Sequence, residues 1–181
     1  MRWFWIDQFT EFVAETRATA IKCVSLSEEV VDEYAPGWPH FPAALIVEGF
    51  AQTGGLLVSQ MSDFKNRVVL AKVGKCSFNR VARPGDRLEL KVTIDNLQPN
   101  GAMVSGVGTI NGEPHSEVDL MFAYLEDERF KNVELFEPAE LCRMCRMLRV
   151  FEVGVYPDGS PVLVPEHMLE AEKQILVKSA V

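Results

Sequence analysis

The chain has 181 residues, of which 48% are hydrophobic and 24% are charged, and its formal net charge is -8. This length and composition suit a globular domain, with room for an appendage, and exclude disorder over most of the chain. The acidic balance argues against general nucleic-acid binding, which requires a basic face. Because there is no run of about 18 consecutive apolar residues and no signal-peptide core, we expect no membrane span and a cytoplasmic location.

The first third of the chain predicts a strand, a rigid loop and a long helix. Residues 19–24 alternate between polar and apolar side chains, as a strand does. Residues 34–42 contain three prolines and a glycine, a density that no helix interior tolerates. From Ala43 to about Phe64 there is no proline and most side chains are apolar, which predicts a buried helix.

Strand patterns then recur at short intervals. Four segments alternate or are rich in β-branched residues: 68–82, 88–96, 103–111 and 117–125. Turn residues such as Pro-Gly-Asp and Asn-Gly separate them. Sequential strands with short turns predict an antiparallel sheet, and one buried helix with such a sheet predicts an α+β fold with the sheet wrapped around the helix.

The C-terminal part of the chain has a different pattern. Residues 137–148 read as a helix, 150–156 and 161–164 as the strands of a hairpin, and 165–178 as a last helix. We therefore divide the chain into a main domain over residues 1–126 and a helix–hairpin–helix extension over residues 127–181.

Glu48 is the most informative single residue because it lies inside an otherwise apolar helical segment. Gln52 follows four residues later, which places both side chains on one helix face. Burial of a carboxylate raises its pKa, and a raised pKa suits a general acid near neutral pH. The alternative is a structural glutamate whose carboxylate is satisfied by the backbone or by Gln52.

The segment that leads to Glu48 resembles the signature of the bacterial 3-hydroxyacyl-(acyl carrier protein) dehydratases. That signature runs H-F-P-G-x-P-x-M-P-G-x-L-x-x-E and aligns without a gap over residues 34–48. The positions that match in register are Pro36, Gly37, Pro39, Pro42, Leu45 and Glu48. The similarity extends over roughly residues 2–126, including the strand and turn around residues 75–86.

The resemblance implies a hot-dog fold, in which a curved antiparallel sheet holds a long central helix. It also implies a homodimer or higher homo-oligomer, with the active site at the subunit interface, and a substrate carried as a thioester of acyl carrier protein or coenzyme A. Glu48 takes the role of the acid that protonates the departing 3-hydroxyl, and Gln52 that of its orienting partner. Gly37, Pro42 and Ala43 take substrate-binding positions, with the Ala43 N–H near the thioester carbonyl.

The sequence departs from the family pattern at the catalytic base. Tyr34 stands where the family has the histidine that removes the C2 proton. A free tyrosine has a pKa near 10, so Tyr34 is a poor base near neutral pH but a good hydrogen-bond donor. His40 stands only eight residues before Glu48 instead of fourteen. It is therefore not aligned with the family histidine, although it is a candidate replacement in space.

Two functions remain open from the sequence. The first is an enzyme of the dehydratase type, or a thioesterase in which Glu48 directs a water molecule. The second is a non-catalytic homologue that binds an acyl chain or a carrier protein, or that pairs with an active partner subunit, because the histidine is missing. Neither requires a metal or a cofactor.

Three other features carry less weight. Cys142 and Cys145 form an isolated pair on a predicted helix, where buried thiols are the expected role. Arg143, Arg146 and Arg149 recur at a spacing of three, which suits either docking of an acidic carrier protein or a solvated face paired with Glu137 and Glu140. The remaining histidines, His115 and His167, are expected at the surface.

Overall fold

The computed structural model describes residues 4–125 and 136–179. Its central element is helix α2, Ala43–Gln60, which follows two short strands, β1 (Gln8–Val13) and β2 (Arg17–Cys23), and one helical turn, α1 (Glu29–Asp32). Pro42 stands at the N-cap of α2, where its missing N–H costs nothing. The predicted long, largely buried helix is therefore confirmed.

A seven-stranded sheet surrounds α2. The four longest strands are β3 (Val68–Phe78), β4 (Arg87–Gln98), β5 (Gly101–Ile110) and β6 (Glu113–Tyr124). The strand order is β3-β6-β5-β4-β2-β1-β7, and every pair except β1–β7 is antiparallel. Helix α2 contacts each of the strands from β2 to β6. This is the predicted α+β hot-dog arrangement of a sheet wrapped around one helix.

Close packing of α2 on the sheet depends on small residues in β5. Gly106 and Gly108 face the ring of Phe50, which is fully buried. A Cβ at Gly106 would lie 2.8 Å from Cδ1 of that ring, which is closer than side-chain carbons normally approach. The two glycines thus set how deeply the helix lies in the sheet.

Two strand boundaries in the main domain differ from the prediction by four residues each, and the others differ by less. Strand β3 ends at Phe78 instead of Ala82, and Ala82 instead forms an isolated bridge with Phe41. Strand β6 begins at Glu113 and includes Pro114, which tolerates its missing N–H because the β5–β6 register shifts there.

The extension contains helices α3 (Pro138–Met147), α4 (Val150–Val153) and α5 (Glu166–Ser179), with strand β7 (Gly154–Val155) after α4. Strand β7 pairs with β1 in parallel, and Leu141, Cys142, Cys145, Leu148 and Met168 belong to the same hydrophobic core as the main domain. The extension is therefore packed on the sheet and helix. The predicted division between residues 126 and 127 lies outside the described residues.

The predicted hairpin of the extension is largely absent. Residues 150–153, predicted as strand, form α4 instead, because Arg149 in the left-handed region (φ 65°) precedes a helical turn. Only one bridge, Val155 to Pro161, connects the two predicted strands. None of the described helices is both long enough and apolar enough to cross a membrane.

Candidate active site

The structure brings Glu48 and Gln52 together on the exposed face of α2. The Gln52 Nε2 donates a hydrogen bond of 3.2 Å to Glu48 Oε1. The Gln52 Oε1 in turn accepts a hydrogen bond of 2.9 Å from the backbone N–H of Trp5. Because the backbone donor fixes which end of the amide is oxygen, the NH₂ group of Gln52 must face the carboxylate.

Glu48 is partly buried, whereas the sequence predicted a carboxyl within a buried helix. Its side chain lies in a groove with a volume of about 860 Å³, within the range of small-molecule sites. The floor of this groove is a stripe of α2 residues at helical spacing: Glu48, Gln52, Gly55 and Ser59. The carboxyl is therefore accessible from a cavity while Gln52 holds one of its oxygens.

Two walls enclose the groove above α2. One consists of sheet residues, namely Val68 and Leu70 of β3 and Phe122 of β6. The other consists of extension residues, of which Leu141, Met144, Met147 and Leu148 are apolar. An acidic group at the edge of a mostly apolar groove is the arrangement expected for a reaction on an apolar chain with one polar reacting end.

Tyr34 and His40 form a second cluster, in the loop before α2. Their ring centroids are 5.3 Å apart, and the Trp38 ring lies 4.8 Å from His40 on another side. The His40 Nδ1 is 2.9 Å from the Trp38 carbonyl oxygen. Since a carbonyl can only accept, Nδ1 carries the proton, and Nε2 of the neutral ring is left as an acceptor.

The loop that holds this cluster is anchored to the rest of the domain through Phe41. Phe41 N–H donates a hydrogen bond of 2.8 Å to the Ala82 carbonyl, and the Phe41 ring packs on Trp5 at 5.9 Å. Lys22, only 7% exposed, lies 5.9 Å from the Phe41 ring centroid and pairs with Asp7. Phe41 is thus held by its backbone and by its ring, whereas Tyr34 is 63% exposed.

The remaining predicted site residues lie at the end of the same loop. Gly37 has φ +81°, a conformation that favours glycine, and it is exposed. Pro42 is buried at the N-cap of α2, and Ala43 is exposed as the first residue of the helix. The N-cap residue Pro42 makes no side-chain capping hydrogen bond, and the partial positive charge of the helix dipole lies at this helix start.

The predicted residues therefore fall into two groups within one chain. Glu48 and Gln52 line the groove, whereas none of the loop residues does so. The loop residues concerned are Tyr34, Gly37, His40, Pro42 and Ala43. A single chain does not place the candidate base in the cavity of the candidate acid.

Charged groups other than Glu48 also line the groove. They include Lys65, Arg67 and Arg143, and Arg67 donates a hydrogen bond to the Leu125 carbonyl. The other two arginines of the predicted basic stripe form ion pairs, Arg146 with Glu172 at 3.2 Å and Arg149 with Glu152 at 2.7 Å.

The cysteine pair has the structural role that the sequence predicted. Cys142 and Cys145 are free, buried thiols of α3, and burial raises the pKa of Cys145 to about 12. No group of three or more His, Cys, Asp or Glu side chains that could hold a metal ion occurs in the described ranges.

His115 contradicts the expectation of a surface residue. It lies in β6 with 1% exposure, and its Nε2 is 2.9 Å from the Arg80 carbonyl oxygen. Desolvation lowers the pKa of its imidazole. The turn sequence before it suggested exposure, but β6 begins earlier than predicted and turns His115 toward Phe78. His167, also expected at the surface, lines the groove.

Comparison with known proteins supports the same scaffold. A FabA-like domain matches residues 4–116 of the chain. The 3-hydroxyacyl-(acyl-carrier-protein) dehydratase FabZ of Oenococcus oeni is 36% identical over 118 residues, which cover 65% of this chain and 85% of that protein. FabZ of Caldanaerobacter subterraneus is 35% identical over 123 residues, which cover 67% of this chain and 87% of that protein.

Solved structures agree at the level of the fold. The dehydratase heterocomplex ApeI:P of Xenorhabdus doucetiae matches with a TM-score of 0.58 and 13% identity, over 70% of this chain and 86% of that chain. A hypothetical thioesterase of Streptococcus pneumoniae with coenzyme A matches with a TM-score of 0.53 and 11% identity, over 65% of this chain and 87% of that chain. The match over residues 4–116 exceeds half of the sequence, and the chain belongs to the FabA-like family.

Proposed function

We propose that this protein is a dehydratase that removes water from 3-hydroxyacyl thioesters, with Glu48 as the acid. The observation that carries the proposal is the chain of hydrogen bonds from the Trp5 N–H through Gln52 to Glu48 at the edge of an apolar groove. A merely structural glutamate does not need a fixed orienting amide and an accessible cavity together. The relatives named as FabZ dehydratases give the reaction class.

The acid half of the reaction follows from the geometry at Glu48. Gln52 donates to Oε1, so Oε2 is the oxygen free to carry the transferable proton. In the dehydration direction this proton passes to the 3-hydroxyl as the bond between C3 and oxygen breaks, and water leaves. Glu48 is then a carboxylate, stabilised by the hydrogen bond from Gln52.

In this proposal His40 is the general base of the reaction. Its Nε2 accepts the C2 proton, the electrons of that C–H bond form the C2–C3 double bond, and the imidazolium later returns the proton to solvent. The Trp38 carbonyl fixes the required tautomer, and the rings of Tyr34 and Trp38 hold the imidazole in place. The Tyr34 hydroxyl remains a donor for a substrate oxygen.

We further infer that two copies of the chain build each active site. Within one chain His40 does not line the groove of Glu48, so the base must come from elsewhere. Strand β3 ends the sheet and is exposed along most of its length, including Leu70 and Val73. An exposed apolar edge strand is a template for pairing with another strand. A homodimer would cover this edge.

The thioester end of the substrate belongs at the start of α2. The Ala43 N–H and the partial positive charge of the helix N-terminus suit the thioester carbonyl, whose oxygen gains negative charge when C2 loses its proton. The carrier in this proposal is acyl carrier protein or coenzyme A.

The test is hydration of a trans-2-enoyl thioester, followed as loss of the conjugated-enoyl absorbance. We expect activity in the unmodified protein, loss of at least about a hundredfold in Glu48→Gln and His40→Gln, and folding unchanged by circular dichroism. Tyr34→Phe, which keeps the ring, is the matched control for the cluster and should lose less. Inactive, well-folded protein across short and long chains would contradict the proposal and favour a non-catalytic acyl-binding or partner subunit.

A further inference from the structure

We propose that the C-terminal extension forms one wall of the acyl-chain site and thereby sets which chain lengths the protein accepts. This inference deepens the proposed function and rests on it for the nature of the ligand. The wall lies in residues 138–148, outside the FabA-like match over residues 4–116. The extension would therefore give this chain a specificity element that the matched domain itself does not contain.

The floor of the groove leaves room for a linear ligand that starts at Glu48. The α2 residues that line the groove after Gln52 are Gly55, Leu56 and Ser59, and two of these, Gly55 and Ser59, have among the smallest side chains. A row of small residues along one helix face makes a shallow channel beside the helix axis. The channel starts at the reacting carboxyl, so a chain attached to the reacting carbons would extend along it.

The length of the channel suits a medium-length acyl chain. Ser59 is eleven positions after Glu48, which corresponds to about 16 Å at the rise of an α-helix. With carbon–carbon bonds of about 1.5 Å, a zigzag alkyl chain advances about 1.3 Å per carbon, so about twelve carbons fit.

The apolar side chains of the two walls suit an alkyl chain, whereas polar groups such as Asn66, Arg67 and Arg143 line other parts of the groove. Val68, Leu70 and Phe122 stand on one side, and Leu141 and Met144 stand on the other. A pantetheine arm carries two amides, and burying an amide without a hydrogen-bond partner is costly. An alkyl chain carries no such groups and gains from contact with these side chains.

Met144 is the extension residue best placed to define the channel. Its side chain is partly buried, packs against the hydrophobic core and lines the groove opposite the sheet wall. Methionine fills irregular apolar gaps well because it is flexible and polarisable. A larger side chain at this position would narrow the channel from the extension side without a change in α2.

The experiment uses calorimetry to measure how acyl-N-acetylcysteamine thioesters, which keep only the cysteamine end of the phosphopantetheine arm, bind to the full chain. Butanoyl and dodecanoyl esters are compared, with coenzyme A alone as a separate probe. Each buried methylene strengthens binding by roughly fourfold, and the dodecanoyl chain has eight more methylenes than the butanoyl chain. Burial of about half of them should make the dodecanoyl thioester bind at least about a hundredfold more tightly.

Occlusion of the channel should remove this preference. Gly55→Leu fills it from the floor, and Met144→Trp fills it from the extension. Either change should weaken dodecanoyl binding by at least about tenfold and leave butanoyl binding within a few-fold. Gly55→Ala is the size control, because a Cβ there meets Phe122 at an ordinary 3.5 Å. Met103→Ala, on an exposed side chain outside the groove, is the surface control.

The outcomes separate this inference from the proposed function. Because binding is measured, a chain-length preference that survives in Glu48→Gln and disappears in Met144→Trp supports the extension wall even if no hydration occurs. An unchanged preference in well-folded Gly55→Leu and Met144→Trp would overturn the inference. Coenzyme A that binds alone and is blocked by both changes would also overturn it, because the groove would then hold the pantetheine arm.

Discussion

The depth at which α2 lies in the sheet can be tested by adding one methyl group, in Gly106→Ala. The new Cβ would lie 2.6 Å from Cγ2 of Val118 and 2.8 Å from Cδ1 of Phe50, where carbon atoms normally stay about 3.5–4.0 Å apart. Overpacking of this kind costs typically 1–3 kcal/mol. Replacing a strand glycine returns about 0.5–1 kcal/mol through the unfolded state. We therefore expect a net loss of about 1–2 kcal/mol in the free energy of unfolding.

The assay is urea unfolding at a fixed protomer concentration, because association would change the apparent stability. Each kcal/mol should also lower Tm by about 2–4 °C in a protein of this size. Gly55→Ala in α2 is the control, because its Cβ would meet Phe122 at an ordinary 3.5 Å and Gly55 is not part of the β3 edge strand. It should be neutral or stabilising. Equal effects of the two substitutions would refute the reasoning that the close approach of Phe50 selects glycine.

Three further predictions concern the site, the pH dependence and the thiols. Gln52→Met should lower hydration about ten- to a hundredfold in the enoyl assay, because the Glu48 carboxylate loses its donor. The pKa of His115 is lowered in the folded protein, whereas the unfolded imidazole protonates near pH 6.5. The urea concentration at the unfolding midpoint should therefore decrease as the pH falls below about 6.5, and this pH dependence should be weaker in His115→Gln. A thiol reagent near pH 8 should label exposed Cys23 quickly and buried Cys145 only after unfolding.

Each of these has a result that would contradict it. Full activity in Gln52→Met would remove the orienting role of the amide. A urea midpoint as pH-dependent in His115→Gln as in the unmodified protein would place the protonation on another group. Rapid labelling of Cys145 in the folded protein would show that the α3 packing is open in solution.

The parts of the structure that follow from local pattern were predicted from the sequence. Glu48 and Gln52 share a face because four residues make about one helical turn, and this holds in any environment. The strands β4 and β5 were predicted nearly in full because turn residues bound them on both sides. The hot-dog fold was predicted from the order in which segments resembling the dehydratase family occur along the chain.

The parts that depend on contacts distant in sequence were not predicted. Burial of His115 requires the Arg80 carbonyl, 35 residues away along the chain. Residues 150–153 have strand-forming side chains, but the turn begun by Arg149 in the left-handed region makes them helical. The groove also needs residues of α3, about ninety positions after Glu48, to line it. Leu141, Met144 and Leu148 recur at helical spacing and mark the apolar face of α3, but that spacing does not say which part of the chain this face meets.

A mixed dimer tests whether Glu48 of one copy works with His40 of a second copy. Chains carrying Glu48→Gln and His40→Gln are given different affinity tags, refolded together, and the heterodimer is isolated through both tags. In a twofold dimer one of its two sites then contains both substitutions and the other contains neither.

We expect each parent homodimer to be nearly inactive in enoyl-thioester hydration, and the heterodimer to have about half of the activity of the unmodified dimer. A heterodimer as inactive as its parents would contradict a site shared between two copies. In that case each chain would have to supply its own acid and base, and the separation of His40 from the groove of Glu48 could not be explained by a shared site.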